Sequence, residues 1–163
     1  MSSYLYFIVY DDFFKLGISK HQRKRINSHI NSYKKGLRFD DIFYYNFQMI
    51  QSNAVEMALK NKYKSIEVEG LPKTECFPIE FLTLMQSDIQ KYIEIFNLDY
   101  QKRFLADDFV LDENHNGVCK LRSKKEMLAT ENRIRKWTNW PFYKFKYLFL
   151  TRMYLSTNQS MRN

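Results

Sequence analysis

Seven consecutive residues near the N-terminus, Tyr4-Leu5-Tyr6-Phe7-Ile8-Val9-Tyr10, are interrupted by nothing more polar than a phenol. Aromatic and β-branched side chains in so short a run specify a buried β-strand. Such a strand cannot stand alone, because other elements must cover its apolar surface. Asp11-Asp12 makes a turn and residues 13–18 return as a second strand, so the chain opens with a β-hairpin. Gly17, in the returning strand, permits a conformation or a close approach that a side chain would block.

The next signals alternate between helix and strand. Ser19 is placed to cap a helix over residues 21–35, whose apolar face is Ile26, Ile30 and Tyr33, and Gly36 stops it. Residues 41–50 form a third strand, and Ser52-Asn53 caps a second helix that runs to about residue 65. Residues 66–69 and 74–77 read as extended. Pro78 opens a third helix with Leu82, Met85, Ile89, Ile93 and Phe96 on one face. The fold class expected is α+β, a three-stranded antiparallel sheet flanked by helices, over residues 1–98.

Residues 99–163 are expected to form a separate, mainly helical, basic extension. Residues 1–99 hold 13 Lys/Arg against 12 Asp/Glu, while residues 100–163 hold 13 against 6, so the net charge of +8 sits mostly in the tail. Concentrated positive charge is the footprint of a phosphate-backbone partner, with a merely soluble basic surface or attraction to an anionic membrane face as the alternatives. Asn116-Gly117 marks a hairpin turn between residues 109–111 and 118–121. Residues 123–137 read as a helix, and Pro141 starts a last one over residues 142–155. Here Arg133, Arg135, Lys136, Trp137, Trp140, Tyr143, Lys144 and Lys146 interleave cations with rings. The cations suit phosphates; the rings suit either bases or the packing face of two helices.

Other classes are disfavoured. No apolar stretch has the length of a membrane helix, and no basic leader precedes an apolar run, so neither a membrane partner nor secretion is expected. Cys76 and Cys119 lack CxxC spacing, which argues against a disulfide framework or a zinc site and for a reducing, intracellular setting.

Tyr4-Leu5-Tyr6 and Lys15-Leu16-Gly17, one on each hairpin strand, resemble the paired triplets of the GIY-YIG nuclease superfamily. Arg25 follows Gly17 by eight residues, His29 follows Arg25 by four, and Glu56 lies on the second helix, where that family keeps its metal-binding glutamate. The pattern is similar to the virus- and phage-associated branch, in which Lys replaces the Tyr of the second triplet. Thr74-Glu75-Cys76-Phe77 also resembles a late Glu-aromatic segment of that branch. The first triplet lacks its Gly, the second lacks its Tyr, and Asn97 is the counterpart nearest to a late Asn of some members.

The resemblance implies a DNA endonuclease that hydrolyses phosphodiester bonds with one Mg²⁺ or Mn²⁺. Glu56 would hold the ion, since Mg²⁺ accepts one carboxylate plus substrate oxygens and water. Arg25 would stabilise the phosphate charge in the transition state. Tyr6 would orient or deprotonate the water, with Lys15 favouring the phenolate, and His29 would take a proton or bind phosphate. Lys24, Lys124, Lys125, Arg133, Arg135, Lys136, Lys144 and Lys146 would contact DNA, and a homodimer could cut both strands. Structural readings stand beside these. Glu56 could complete a capping-box start with Asn53, Arg25 and His29 could be solvated, Tyr6 could be core, and Glu75 could be a support. The alternatives for the chain are a DNA-binding protein on a decayed nuclease fold, and a basic module for RNA or an acidic protein.

Overall fold

In a computed structural model, the structure describes residues 2–68, 75–114 and 116–138, the last three by backbone alone. The chain divides into two compact units, Met1–Arg122 and Ser123–Asn163.

The first unit is built on one antiparallel sheet. Strands β1 (Ser2–Val9) and β2 (Phe13–Ser19) form the expected hairpin, with Tyr6 opposite Gly17. Strand β3 (Phe43–Gln48) lies along the other side of β1. Two short strands extend this trio, β4 (Cys76–Pro78) beside β2 and β5 (Gln101–Phe104) beside β3. Among the described residues the sheet therefore has five strands, in the order β4-β2-β1-β3-β5, rather than the three expected. Neither added strand announces itself. β4 is three residues long and ends in Pro78, which an edge strand tolerates. β5 is Gln-Lys-Arg-Phe and exposed throughout. Lys102 in β5 lays its ammonium 4.8 Å from the centre of the Phe43 ring, so a cation takes the place of the apolar side chain a strand usually presents.

The unbroken character of β1 now has its reason: helices cover both faces of the sheet. Leu5, Phe7 and Val9 join Phe14, Leu16, Tyr45 and Phe47 on one face, beneath α2 (Met49–Tyr63) and α3 (Leu82–Phe96). Tyr6, Ile8, Tyr10 and Tyr44 line the other face, beneath α1 (Gln22–Ser32). Ile26 and Ile30 of α1 are fully buried there, worth about 2 kcal/mol each in apolar area.

Several boundaries differ from expectation. Helix α1 begins at Gln22 with His21 as its N-cap, while the Ser19 hydroxyl accepts from the His21 N–H at 3.0 Å and so shapes the preceding turn. It ends at Ser32, short of Gly36. Helix α2 begins at Met49, where Gln48 and Gln51 form the capping box, and Ser52 is a buried interior residue that donates to the Gln48 carbonyl at 3.2 Å. Residues 64–66 form a 3₁₀ turn, so Ile66, the first residue of the stretch expected to be extended over 66–69, is helical, while the Val68 N–H donates to the Cys76 carbonyl at 2.8 Å and residue 69 lies outside the described residues. Pro78 closes β4 and is followed by a further 3₁₀ turn, so α3 starts four residues later, at Leu82. Asn97 is the left-handed C-cap of α3, a backbone role.

The expected boundary at residue 98 is not a structural joint. Helix α4 (Leu105–Asp108) follows β5, and the Tyr44 hydroxyl donates to Asp108 at 2.6 Å. Strands β6 (Phe109–Glu113) and β7 (Cys119–Ser123) form a separate hairpin, closed at Gly117 with φ of 71°. Helix α1 grips that hairpin through residues four apart. Asn31 exchanges two hydrogen bonds with the Cys119 backbone, at 2.7 and 2.8 Å. The Leu121 N–H donates to the Asn27 side chain at 2.9 Å, and Arg23 donates to the Leu121 carbonyl at 3.0 Å. Leu105, Cys119 and Leu121 are buried in the α1 face of the core. The start of the extension thus belongs to the sheet unit.

In the second unit, α5 (Lys124–Thr138) is the helix expected there, and the Ser123 hydroxyl accepts from the Glu126 N–H at 3.4 Å. The helix expected over residues 142–155 lies outside the described residues, as does His115. Among the described residues, no helix is long and apolar enough to cross a membrane.

Candidate active site

Tyr6 is the centre of the site. Its position in mid-strand points its ring to the α1 face, across its partner residue Gly17. A Cβ at residue 17 would stand 2.4 Å from the Tyr6 hydroxyl oxygen and 2.6 Å from Cζ, so the bare glycine backbone is what allows the ring to lie there. The close approach expected of Gly17 is made to Tyr6.

Helix α1 brings two groups to the phenol. Arg25 and His29 are one turn apart, as their spacing implies. His29 is buried, and its Nε2 lies 3.0 Å from the Tyr6 hydroxyl. Burial pushes the Tyr6 pKa up; the Arg25 guanidinium, within hydrogen-bonding reach, pulls it back, and the charges of Glu75 and Glu56 push it up again. The net direction is upward, so Tyr6 is a protonated phenol at neutral pH. This corrects the expected phenolate: burial outweighs the neighbouring cation, and the ammonium of Lys15 is paired with Glu75. A guanidinium can only donate. Arg25 donates to the Tyr6 oxygen, and in the His29 tautomer that leaves Nε2 without a proton the Tyr6 hydroxyl donates to it.

The carboxylates come from two other elements. Glu56 is the eighth residue of α2, far from the helix start, which removes the capping reading. It is buried, and its Oε1 accepts from Lys60, one turn on, at 3.1 Å. Glu75 stands at the head of β4, on the margin of β2, with φ of 66°. A side chain with its Cβ pays sterically for that left-handed backbone. Backbone bonds on both sides hold it: its N–H donates to the Glu67 carboxylate, and its carbonyl accepts from the Leu16 N–H at 3.0 Å. The Glu75 carboxylate is thereby aimed between two lysines. Oε2 lies 3.5 Å from the Lys15 ammonium, and Oε1 meets Lys60. Lys15, Glu75, Lys60 and Glu56 form an alternating row of charges beside Tyr6. Burial tends to lower the Lys60 pKa, but its bonds to Glu75 and Glu56 prevail, so it stays a cation.

Tyr6, Lys15, Arg25, His29 and Glu56 are therefore all drawn into one neighbourhood. Lys60 is the residue that sequence reasoning missed, although the Glu56–Lys60 spacing of four is a visible signal for an ion pair. Glu75 proves to be a member of the charge row as well as a support.

Among the described residues, no three or more His, Cys, Asp or Glu side chains are grouped as a metal cage. The carboxylates of Glu56 and Glu75, joined through Lys60, are hard oxygen donors. Such a set fits Mg²⁺ or Mn²⁺, which fill their other positions with water and phosphate, and does not suit a thiophilic metal.

The start of α1 borders a cleft of about 490 Å³ that holds Tyr4, Lys20, Arg23, Lys24 and Lys120. In the second unit, Lys124, Lys125, Arg133 and Arg135 are exposed on α5. The Lys136 and Trp137 side chains lie outside the described residues, as do Trp140, Tyr143, Lys144 and Lys146. Set against known proteins, the chain matches no family model, no curated protein and no solved structure.

Proposed function

We propose that the sheet unit is a divalent-metal-dependent DNA endonuclease of the GIY-YIG type. The observation that carries this reading is the meeting at Tyr6 of a guanidinium and an imidazole from α1 with the influence of carboxylates from α2 and the head of β4. A phenol, a fixed cation, a proton acceptor and hard anions are the set that phosphodiester hydrolysis demands.

The protonated phenol defines the role of each residue. Tyr6 holds the attacking water; as the water gives its proton to the phenol oxygen, the phenol proton passes to His29 Nε2. The resulting hydroxide forms the new bond to phosphorus while the bond to the leaving sugar oxygen breaks. Arg25 donates to the phosphate oxygens and offsets the charge that grows on them. Glu56, with Glu75, would hold the divalent ion, which when bound supplies Lewis-acid stabilisation of the phosphate and the leaving oxygen. His29 thus takes the helper role that the sequence assigned to Lys15. Lys24 and the basic cleft, together with Lys124, Lys125, Arg133, Arg135, Lys136, Lys144 and Lys146 of the tail, would track the DNA backbone.

A second reading, a DNA-binding protein that does not cut, is favoured by one observation: both carboxylates already carry lysine partners. Supercoiled plasmid separates the two. Nicking that requires Mg²⁺ or Mn²⁺ and disappears in Glu56→Ala, with DNA retention kept, supports the nuclease. Salt-sensitive retention with no metal-dependent nicking supports the binder, and no retention at low salt rejects both.

A further inference from the structure

Lys60 occupies the position between the two carboxylates where a cation is most stabilised. It contacts Glu56 Oε1 at 3.1 Å and also meets Glu75 Oε1. We propose that Lys60 is the resident counter-ion of the Glu56–Glu75 pair, and that a divalent cation enters by displacing it. The proposal rests on the metal-dependent reading above and adds how the ion site is kept when no metal is bound.

Three features support an exchange. First, the mobile partner is the lysine: its side chain is 32% exposed and that of Glu56 only 10%, and a four-carbon stem can swing the ammonium into solvent. Second, the acceptors stay in place when it leaves. Glu75 is fixed by Glu67 and Leu16 through its own backbone, and Glu56 is carried by a helix packed on the core. Third, the charge balance changes in a useful direction. Two carboxylates with Lys15 and Lys60 sum to zero. Lys15 is buried and remains on Glu75, so replacing Lys60 by a divalent ion leaves the row with one positive charge. That is the complement of one phosphodiester anion. Without any cation in the gap, the two carboxylates would repel each other, so Lys60 preserves the geometry that the metal needs while also competing with it.

The test uses the full chain without DNA and follows Mn²⁺ binding by the electron paramagnetic resonance signal of the free ion. Lys60→Met is expected to bind Mn²⁺ at least about tenfold more tightly than wild type, and Glu56→Gln to bind it far more weakly. If Lys60→Met binds Mn²⁺ no more tightly than wild type while Glu56→Gln loses it, displacement is wrong and the metal site stands. If Glu56→Gln binds Mn²⁺ like wild type, the metal-dependent reading itself fails, and this inference with it. Circular dichroism confirms the fold of each variant, and Lys60→Gln replaces Lys60→Met should the latter not fold.

Discussion

Helix α2 carries two lysines two residues apart that serve two different carboxylate clusters. Lys62 meets Asp88 of α3 at 2.5 Å, and the same carboxylate accepts from the Tyr63 hydroxyl at 2.5 Å and pairs with Lys91 at 3.5 Å. Asp88 is buried and its hydrogen-bonding capacity is met by donors from two packed helices. Lys60 instead divides itself between Glu56 and a Glu75 held in left-handed backbone, beside a phenol, an imidazole and a guanidinium. Both clusters use Lys, a carboxylate and a Tyr. The first has three donors on one carboxylate and ties α2 to α3. The second shares its cation, stores strain and adjoins groups able to move protons. The contrast teaches that a buried ion pair by itself says little about function; what surrounds the pair, and whether its partners are committed, says more.

Glu56→Gln is expected to lower metal-dependent plasmid nicking by about 10³-fold while moving stability by about 1 kcal/mol or less. Nicking rates and urea melts read the two quantities, and a large stability loss with normal nicking per folded molecule would reverse the assignment. Asp88→Ala is expected to do the opposite, costing about 2 kcal/mol in urea because it leaves the buried Tyr63 hydroxyl without its acceptor, with nicking per folded molecule unchanged. Tyr6→Phe and His29→Gln should each slow nicking by about 10²-fold, and the double variant should be little worse than either single one. Additive losses would show that the two do not form one relay. Gly17→Ala should cost about 2 kcal/mol, because the Tyr6 ring must yield to the new methyl group, and should slow nicking as well.

The smallest expected effect is a dependence on pH. Burial alone would raise the Asp88 pKa, but the bonds from Lys62 and Tyr63 prevail and hold it below its ordinary 3.8. A carboxyl held low in the folded protein lends stability that is full above its unfolded pKa and is lost as pH falls through the folded value. The difference in urea midpoint between wild type and Asp88→Asn should therefore be constant from about pH 5 to 8 and shrink below about pH 4. A difference that persists undiminished at low pH would show that packing, not charge, explains the Asp88 contribution.

How much was legible follows from how each element is encoded. The hairpin, β3 and the apolar faces of α1 and α3 rest on continuous runs or on helical periods, and the sequence displays those directly. The Arg25–His29 pair follows from helix geometry once α1 is located. Strands β4 and β5 have no period to display, because three or four edge residues are held by neighbours distant in sequence. Composition places the start of α2 too late because Ser52-Asn53 is a stronger cap by residue type than Gln48 with Gln51, although the latter pair forms the box. The pairing of Lys15 with Glu75 is hidden in the sequence because the two are 60 residues apart. The boundary at residue 98 followed the step in charge, whereas the grip of α1 on β7 is made by neutral carboxamides and one arginine.

That grip decides where this chain can be divided. A fragment ending at residue 98 would leave Asn27 and Asn31 facing water with no backbone to bind, strip a strand from the flank of β3, and uncover Ile26 and Ile30. The piece that the charge distribution suggests as self-sufficient would be the one prone to unfold or self-associate, and the shortest separable module ends after Arg122.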